Sequence, residues 1–257
     1  MSGILVIGTG ECGVRAAFAL RDFGFQGAVK LIGEEAALPY ERPPLSKGTG
    51  ELKPIRPASD YDAAGIELRF GTKVSSVDSH DRRIALETGE EVAYEKLLIA
   101  TGARARAFTG MEGCLTLRTN EDAEKISSIV RPGARIGIIG GGFIGLELAA
   151  TARAKGADVS VIEGGSRFLA RAVPNEIADV VSARHKAEGV LIDCGVAVER
   201  ADARHIAIAG GIELSFDAVI AGVGAVPNIE LAEKAGLTVQ NGIAVDDGFR
   251  TSDPHIF

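Results

Sequence analysis

Residues 4–13 read Ile-Leu-Val-Ile-Gly-Thr-Gly-Glu-Cys-Gly, and residues 136–145 read Ile-Gly-Ile-Ile-Gly-Gly-Gly-Phe-Ile-Gly. Each stretch is an apolar strand followed by the pattern G-x-G-x-x-G, whose glycines are Gly8, Gly10, Gly13 and Gly140, Gly142, Gly145. The first glycine permits a tight turn, the second lets backbone approach a pyrophosphate, and the third lets helix and strand pack closely. The helix N-terminus adds partial positive charge. The sequence therefore predicts two dinucleotide-binding βαβ units in one chain.

An acidic residue follows each fingerprint at the distance that a βαβ unit imposes. Glu34 lies 21 positions after Gly13, and Glu163 lies 18 positions after Gly145, each behind a second apolar stretch. The expected distance is about 20, and a carboxylate there accepts hydrogen bonds from ribose hydroxyls. A glycine-rich turn in an ordinary α/β domain accounts for either copy alone, but poorly for both copies with both acids.

Composition bounds the class of protein. The 257 residues are 46% hydrophobic and 25% charged, which is globular and suits two domains of ordinary size. The formal net charge is -7 without a dense basic run, which argues against nucleic acid as a partner. The apolar start has no basic flank or cleavage site, and no apolar segment is long enough to span a bilayer, so no membrane partner is expected.

The cysteines and histidines are scattered. Cys12, Cys114 and Cys194 form no close pair, which predicts reduced thiols and a cytoplasmic location. Cys12 lies inside the first glycine turn, where a small side chain suits the approach of phosphates. The four histidines have no metal-ligand spacing, so we expect no metal site.

The order of elements repeats along the chain. A strand, helix and strand lead to a proline-rich loop at 39–57, short β-rich segments and a buried strand at 97–99. A helix at 120–130 precedes the second copy, with predicted helices at 143–155 and 175–188. Both copies close on an apolar strand and a glycine turn, at 94–102 and 216–224. The repetition indicates an internal duplication, and ligands of such sheets collect at the carboxyl ends of the strands.

Four stretches carry a family resemblance: Pro-Tyr-Glu-Arg-Pro-Pro-Leu-Ser-Lys at 39–47, Ala-Thr-Gly at 100–102, Leu-Arg-Thr at 117–119 and residues 140–147. They resemble FAD-dependent pyridine-nucleotide reductases, and more narrowly the ferredoxin, putidaredoxin and rubredoxin reductases of dioxygenases and cytochrome monooxygenases. The segment 43–47 is the most specific part, because disulfide reductases of the same superfamily carry a cysteine pair in the equivalent region.

The resemblance and the duplication together predict an α/β fold with two Rossmann-like, three-layer ββα dinucleotide-binding domains, the second inserted in the first. Residues 1–107 and 229–257 are expected to bind FAD, and residues 108–228 to bind NAD, the two rings meeting between the halves. The implied FAD contacts are Gly8, Gly10, Cys12, Gly13, Glu34, Arg42, Lys47, Val74, Ala100, Thr101, Gly102 and Arg118. The implied NAD contacts are Gly140, Gly142, Phe143, Ile144, Gly145, Glu163, Gly222 and Gly224.

Two cations of the proline-stiffened loop, Arg42 and Lys47, also suit a diphosphate site on chemical grounds, with a solvated basic loop as the alternative. Glu147, two residues past Gly145, is either an exposed helix position or a buried carboxylate with a cation partner. The resemblance implies the latter, with Lys47 and Glu147 paired beside the flavin as the catalytic residues.

The implied activity is hydride transfer from NADH to FAD, then single-electron transfer to a ferredoxin-type or rubredoxin-type iron–sulfur or iron protein that feeds an oxygenase. The alternatives are a nucleotide-binding flavoprotein module or truncated fragment without turnover, and an NADH-oxidase-like flavoenzyme. Glu163 favours NADH because a carboxylate repels a 2′-phosphate, whereas Arg167 leaves NADPH open. In the family the closing run 251–257 leads into a Gly-Asp pair that binds FAD, so we expect a longer reductase from which this sequence is incomplete.

Overall fold

The computed structural model describes residues 3–48 and 52–257. The chain divides into two compact units. Unit 1 comprises Met1–Glu41, Lys53–Arg104 and Pro227–Phe257, and unit 2 comprises Arg42–Leu52 and Ala105–Val226. Arg42–Leu52 groups with unit 2 rather than with the segments on either side of it in the sequence.

Fifteen strands and six α-helices are found among the described residues, together with one 3₁₀ turn, Pro43–Lys47. The strands are β1 (Gly3–Ile7), β2 (Val29–Ile32), β3 (Ile66–Arg69), β4 (Val74–Asp78), β5 (Arg83–Leu86), β6 (Glu91–Ile99), β7 (Ala103–Ala105), β8 (Arg135–Ile139), β9 (Asp158–Glu163), β10 (Leu191–Cys194), β11 (Val198–Ala201), β12 (His205–Ile208), β13 (Ile212–Ser215), β14 (Ala218–Ala221) and β15 (Ala225–Pro227). The helices are α1 (Glu11–Asp22), α2 (Ala58–Ala63), α3 (Asn120–Ile129), α4 (Phe143–Ala154), α5 (Asn175–Ala187) and α6 (Glu230–Lys234).

The main sheet of unit 1 has the order β3-β2-β1-β6-β5-β4. Strands β3, β2, β1 and β6 are parallel, whereas β5 pairs antiparallel with both β6 and β4. The long strand β6 serves both parts: Lys96–Ile99 pair with β1, and Glu91–Ala93 pair with β5. One strand thus joins a parallel nucleotide-binding sheet to an antiparallel layer.

Unit 2 also has parallel and antiparallel strands, but they form two separate sheets. Its parallel sheet has the order β10-β9-β8-β14, and a second, antiparallel sheet has the order β11-β12-β13. Strand order 3-2-1-4 is common to both parallel sheets, as in one half of a doubly wound fold. The predicted α/β fold with two Rossmann-like domains, the second inserted in the first, is confirmed.

Alternation along the strands produces two cores in each unit, because successive side chains point to opposite faces. In unit 1, Val6 and Leu31 pack with α1, whereas Leu5 and Ile7 pack with β4, β5 and α6. In unit 2, one face of the sheet packs with α3, α4 and α5, and the other packs with β11, β12 and β13. Burial on both faces accounts for the nearly continuous apolar runs of the central strands.

Candidate functional site

Both fingerprints lie where the strand order of their parallel sheet reverses, between β1 and β6 in unit 1 and between β8 and β14 in unit 2. Residues 8–13 follow β1, and the predicted second turn, 100–102, follows β6. Residues 140–145 and 222–224 stand in the same relation to β8 and β14. Ligands of open α/β sheets bind outside the carboxyl ends of strands at such a reversal. Each unit therefore assembles its two predicted loops at the expected place.

The first glycine of each fingerprint touches the second turn. A Cβ on Gly8 would lie 2.1 Å from the Ala100 carbonyl oxygen, and one on Gly140 would lie 2.5 Å from that of Gly222. Both glycines also have φ values, +115° and +105°, that side chains rarely adopt. No other residue fits at these two positions without moving backbone.

The third glycine lets the helix approach its own loop. A Cβ on Gly13 would lie 1.9 Å from the Gly8 carbonyl oxygen, and one on Gly145 would lie 2.2 Å from the Gly140 carbonyl oxygen. Both distances are far inside van der Waals contact. The third glycine is thus a packing requirement of the fold in both copies.

The second glycine is different, because a Cβ on Gly10 or Gly142 would meet no described atom within 4 Å. Each is the N-cap of its helix, α1 or α4, and neither cap has a side-chain hydrogen bond. The first turn of a helix leaves N–H donors without intrahelical partners, and they attract anions. Space and donors therefore coincide where a pyrophosphate is expected, so both cradles fit a dinucleotide.

Glu163 is tied to the second cradle. One carboxylate oxygen accepts a hydrogen bond from the Gly141 N–H at 2.6 Å, and the other accepts one from the Gly165 N–H at 2.6 Å. The carboxylate is therefore held between the glycine loop and the turn after β9. This orientation fixes a negative charge at the end of β9, where the ribose acceptor was predicted.

Arg167 is committed to the backbone. Its guanidinium donates hydrogen bonds to the carbonyl oxygens of Phe168 at 3.1 Å, Ala170 at 3.2 Å and Val173 at 3.0 Å. Arg167, the cation that could have bound the 2′-phosphate of NADPH, therefore stabilises the loop in which it lies. With three carbonyl partners, this guanidinium has a structural role.

Glu34, the acid of the first copy, is exposed and forms an ion pair with Lys73 Nζ at 3.5 Å. Lys73 also pairs with Glu87 at 3.1 Å, and this hydrogen bond, together with the charge of Glu34, raises the pKa of Lys73. Lys73 was not predicted from the sequence, because it lies between β3 and β4, whereas its partner Glu34 follows β2. It is a cation beside the predicted ribose acceptor.

Asn228 was also missed, although it clamps the turn after β6. Its side-chain amide donates to the Thr101 carbonyl oxygen at 2.9 Å, and its backbone N–H donates to the Gly102 carbonyl oxygen at 2.9 Å. In return, the Thr101 hydroxyl donates to the Asn228 carbonyl oxygen at 2.7 Å. Three bonds, two of them between residues 127 positions apart, hold the turn that flanks the first cradle.

Glu147 lies on α4 and accepts a hydrogen bond from the hydroxyl of Ser46, in the 3₁₀ turn. The Thr151 hydroxyl, one turn further along α4, donates to the Ser46 carbonyl oxygen at 2.8 Å. Among the described residues no ion pair within 4.0 Å joins Lys47 to Glu147, and Lys47 is exposed. The predicted Lys47–Glu147 pair is therefore not formed. Neighbouring residues of a 3₁₀ turn point about 120° apart, so Ser46 faces α4 and Lys47 does not.

Arg42 and Arg118, both implied FAD contacts, meet in unit 2. The Arg42 guanidinium donates to the Arg118 carbonyl oxygen at 2.5 Å. The backbone N–H groups of Arg118 and Thr119 donate to the Asp122 carboxylate at 2.8 and 3.1 Å, and Thr119 caps α3 in a capping box. The Leu-Arg-Thr run thus fixes the start of α3 and accepts a hydrogen bond from Arg42 of the proline-rich segment.

The remaining predicted contacts differ in accessibility. Cys12, Phe143 and Ile144 lie in the first turns of α1 and α4 and are exposed, Phe143 by 58% and Ile144 by 47%. Val74, in contrast, is buried in the unit 1 core. Within residues 3–48 and 52–257 there is no cluster of potential metal ligands and no helix long and apolar enough to cross a membrane.

Two open glycine cradles, each at a strand-order reversal and each with an acid at the end of the next strand, define a protein that holds two dinucleotides. Comparison with known proteins gives the class a name. The chain belongs to the pyridine nucleotide-disulphide oxidoreductase family, which matches residues 2–257. The resemblance drawn from the fingerprints and from segment 39–47 is confirmed.

Three similar proteins place the chain within the family. A rubredoxin-NAD(+) reductase from Pseudomonas putida is 39% identical over 99% of this chain and 70% of its own length. The ferredoxin–NAD(+) reductase component of a p-cumate 2,3-dioxygenase system, also from Pseudomonas putida, is 38% identical over 100% of this chain and 66% of its own length. The reductase in a covalent putidaredoxin reductase–putidaredoxin complex superposes with a TM-score of 0.91 at 33% identity, over 99% of this chain and 66% of the other. The chain thus spans about two thirds of the length of these relatives.

Proposed function

We propose that this chain is the nucleotide-binding part of a flavoprotein reductase. It takes hydride from NADH onto FAD and delivers single electrons to a ferredoxin-type or rubredoxin-type protein that feeds an oxygenase. The relatives are named as rubredoxin and ferredoxin reductases, and one is seen bound to putidaredoxin. FAD belongs to unit 1 and NADH to unit 2, and the protein acts in the cytoplasm.

The observation that carries this proposal is the duplicated cradle. In both copies the first and third glycines are packed against backbone oxygens, whereas the second glycine borders open space at an uncapped helix N-terminus. Packing alone accounts for two of the three glycines. The second is required only if another molecule approaches the loop, and a diphosphate is the group that helix N-termini attract.

Residues of both units would hold the two cofactors. In unit 1, the residue 8–13 loop and the turn at 100–102 would bind FAD, with Glu34 on the ribose. In unit 2, the residue 140–145 loop and the turn at 222–224 would bind NADH, with Glu163 on the ribose. Flavin chemistry converts a hydride into single electrons. The spacing of the three cysteines offers no close dithiol pair in this chain, which favours delivery to an iron protein.

NADH is preferred over NADPH. The Glu163 carboxylate is held by two backbone N–H groups at the end of β9, where it would repel a 2′-phosphate. The nearby cation, Arg167, already donates to three carbonyl oxygens. A 2′-phosphate would therefore meet a fixed negative charge and gain no free guanidinium.

The test is an anaerobic titration of the purified protein, loaded with FAD, in which the flavin absorbance is followed as NADH is added. We expect bleaching with one equivalent of NADH. Adding a ferredoxin with cytochrome c as final acceptor should then restore the oxidised spectrum as cytochrome c is reduced. A protein that binds both nucleotides without bleaching is a binding module, and one that reoxidises only with oxygen is an oxidase; either outcome overturns the proposal.

A further inference from the structure

Ser46 is buried, with 5% of its surface exposed, and apart from the tyrosines it is the one buried polar or charged residue among those described. It lies in the 3₁₀ turn Pro43–Lys47, and its hydroxyl donates to the Glu147 carboxylate. Buried hydroxyls are costly unless they are hydrogen-bonded. The Pro43 carbonyl oxygen, at 3.3 Å, is the other acceptor within reach of this hydroxyl, and the charged Glu147 carboxylate is the closer one.

The position of Ser46 is set independently of that bond. The Thr151 hydroxyl donates to the Ser46 carbonyl oxygen at 2.8 Å, and Leu45 packs into the unit 2 core beside α4. Two prolines at the start of the turn restrict its backbone. The Ser46 hydroxyl is therefore presented to Glu147 from a fixed backbone rather than from a mobile loop.

Internal duplication shows that the fold does not need this arrangement. Arg15 occupies the position of Glu147 in the first copy, two residues past the third glycine. Its side chain is 74% exposed and pairs with Glu11 on the same helix. An acid at this position, with a buried hydroxyl donor to hold it, is thus specific to the second copy.

We propose that Ser46 is a positioning residue: it holds the half-buried Glu147 carboxylate in one orientation for the reaction of the nicotinamide with the flavin. The inference rests on the proposed function and on the catalytic role beside the flavin that the family resemblance implies for Glu147. A hydrogen bond from a hydroxyl to a carboxylate is stronger than one between neutral groups and is directional. Ser46 therefore takes the place at Glu147 that the family resemblance implied for Lys47.

Five variants test this. Ser46→Ala removes the donor, and Ser46→Thr keeps a hydroxyl on the same carbon. Glu147→Gln and the double variant Ser46→Ala/Glu147→Gln show whether Ser46 acts through Glu147. Thr151→Val is the matched control, because it removes the other side-chain hydrogen bond between α4 and this turn, while the packing of Leu45 and the two prolines still hold Ser46 beside Glu147.

The first measurement requires no cofactor. Isotope-edited infrared spectra of the protein should show the Glu147 carboxylate stretch, identified by its loss in Glu147→Gln. We expect the band to shift in Ser46→Ala, to stay in place in Thr151→Val and to be recovered in Ser46→Thr. An unchanged band in Ser46→Ala would show that the bond is not made in solution and would overturn the inference.

The second measurement is the rate of flavin reduction by NADH in a stopped-flow instrument, with the FAD-loaded protein. We expect Ser46→Ala to slow reduction about tenfold, the effect of losing about 1.4 kcal/mol of transition-state stabilisation, with the Kd for NADH within about twofold of wild type. Thr151→Val and Ser46→Thr should reduce within about twofold of the wild-type rate. The double variant should be no slower than Glu147→Gln.

The two possible failures are distinguishable. If wild-type flavin is not bleached by NADH, the proposed function fails, and with it the role of Ser46 in that reaction. If wild type is bleached but Ser46→Ala reacts at the wild-type rate, the proposed function stands and the inference fails. It also fails if Ser46→Ala slows Glu147→Gln by a further tenfold, since Ser46 would then act without Glu147.

Discussion

Arg15 and Glu147 occupy the same position of a duplicated helix, two residues past the third glycine, and carry opposite charges. Arg15 is exposed and pairs with Glu11 at 2.5 Å within α1. Glu147 is half-buried and accepts a hydrogen bond from Ser46, 101 residues away in sequence. In the loops before these helices the corresponding glycines pack against corresponding carbonyl oxygens, so the copies differ in the groups beside the cradle rather than in the glycine packing of the cradle.

The glycines of the second cradle should separate folding from binding. Gly142→Ala is expected to change stability by no more than about 0.5 kcal/mol and to weaken NADH binding at least tenfold, since its Cβ enters the open space of the cradle. Gly145→Ala should cost about 3 kcal/mol or prevent folding, because its Cβ meets the Gly140 carbonyl oxygen. Thermal unfolding and NADH titration measure the two effects. Wild-type affinity in a folded Gly142→Ala protein would place the pyrophosphate elsewhere.

Cofactor preference should depend on Glu163 and not on Arg167. Glu163→Ala is expected to narrow the preference for NADH over NADPH about tenfold. It should also lower the free energy of unfolding by about 1–3 kcal/mol, because the Gly141 and Gly165 N–H groups lose their acceptor. Arg167→Ala serves as the control: stability falls as three carbonyl bonds are lost, while the preference stays at its wild-type value. Reduction rates with each nucleotide report the preference, and a loss of NADPH activity in Arg167→Ala would contradict the assignment.

Arg21 should be a major stabilising residue of unit 1. Its guanidinium donates to four carbonyl oxygens, those of Phe25, Gly27, Ala64 and Gly65, at 2.6 to 2.8 Å. These bonds join the end of α1 to the end of α2. We expect Arg21→Ala to lower the free energy of unfolding by about 3 kcal/mol, measured by urea denaturation, because several carbonyl groups lose their donor.

The matched control is Arg15→Ala on the same helix. Its ion pair with Glu11 is exposed and joins residues four apart on one helix, and such pairs contribute about 0.5 kcal/mol or less. Equal losses for the two arginine variants would mean that removal of charge from α1, rather than the carbonyl bonds, determines stability.

Tyr61 should make stability fall at alkaline pH. Burial raises the pKa of Tyr61 to about 12, with Arg56 opposing the effect and Asp60 adding to it. Because the unfolded phenol ionises near its ordinary value of 10.0, the contribution of Tyr61 to stability should fall as pH rises from 10 to 12, by up to about 2 kcal/mol. Within the described part of the chain the Tyr61 hydroxyl has no hydrogen-bond partner. Tyr61→Phe should therefore be neutral or stabilising at pH 7 and flatten the alkaline loss, as urea unfolding at several pH values would show.

Tyr94→Phe is the comparison. Burial, reinforced by Asp253 and Asp78, also raises the pKa of Tyr94 to about 12, but its hydroxyl donates to the Asp78 carbonyl oxygen at 3.3 Å. This variant should flatten the alkaline loss as well, at a cost of about 1 kcal/mol at pH 7. A larger neutral-pH loss in Tyr61→Phe than in Tyr94→Phe would show that the Tyr61 hydroxyl does find a partner in solution.

Sequence patterns predicted the helices and the glycine turns, because their conformations depend mainly on neighbouring residues. The helices expected at 120–130, 143–155 and 175–188 form at Asn120–Ile129, Phe143–Ala154 and Asn175–Ala187, and the fingerprints form the expected turns. Strand β6 is longer than the expected 97–99, because its first half alternates buried and exposed residues and pairs with β5. The proline-rich segment was expected to be loop throughout, yet Pro43–Lys47 forms a 3₁₀ turn.

The sequence by itself determined the two cradles. No other residue can replace a glycine at a positive φ or against a carbonyl oxygen, so the spacing of these glycines is visible in the sequence. It also determined the acids at the strand ends and the class of fold. Only the tertiary structure decided that Ser46 rather than Lys47 meets Glu147, that Asn228 clamps the turn at Thr101, and that Arg42–Leu52 belongs to unit 2. The Ser46–Glu147 and Asn228–Thr101 contacts join residues 101 and 127 positions apart. Each depends on the direction in which one short side chain points. No periodicity or spacing in the chain records which of two adjacent side chains faces its partner.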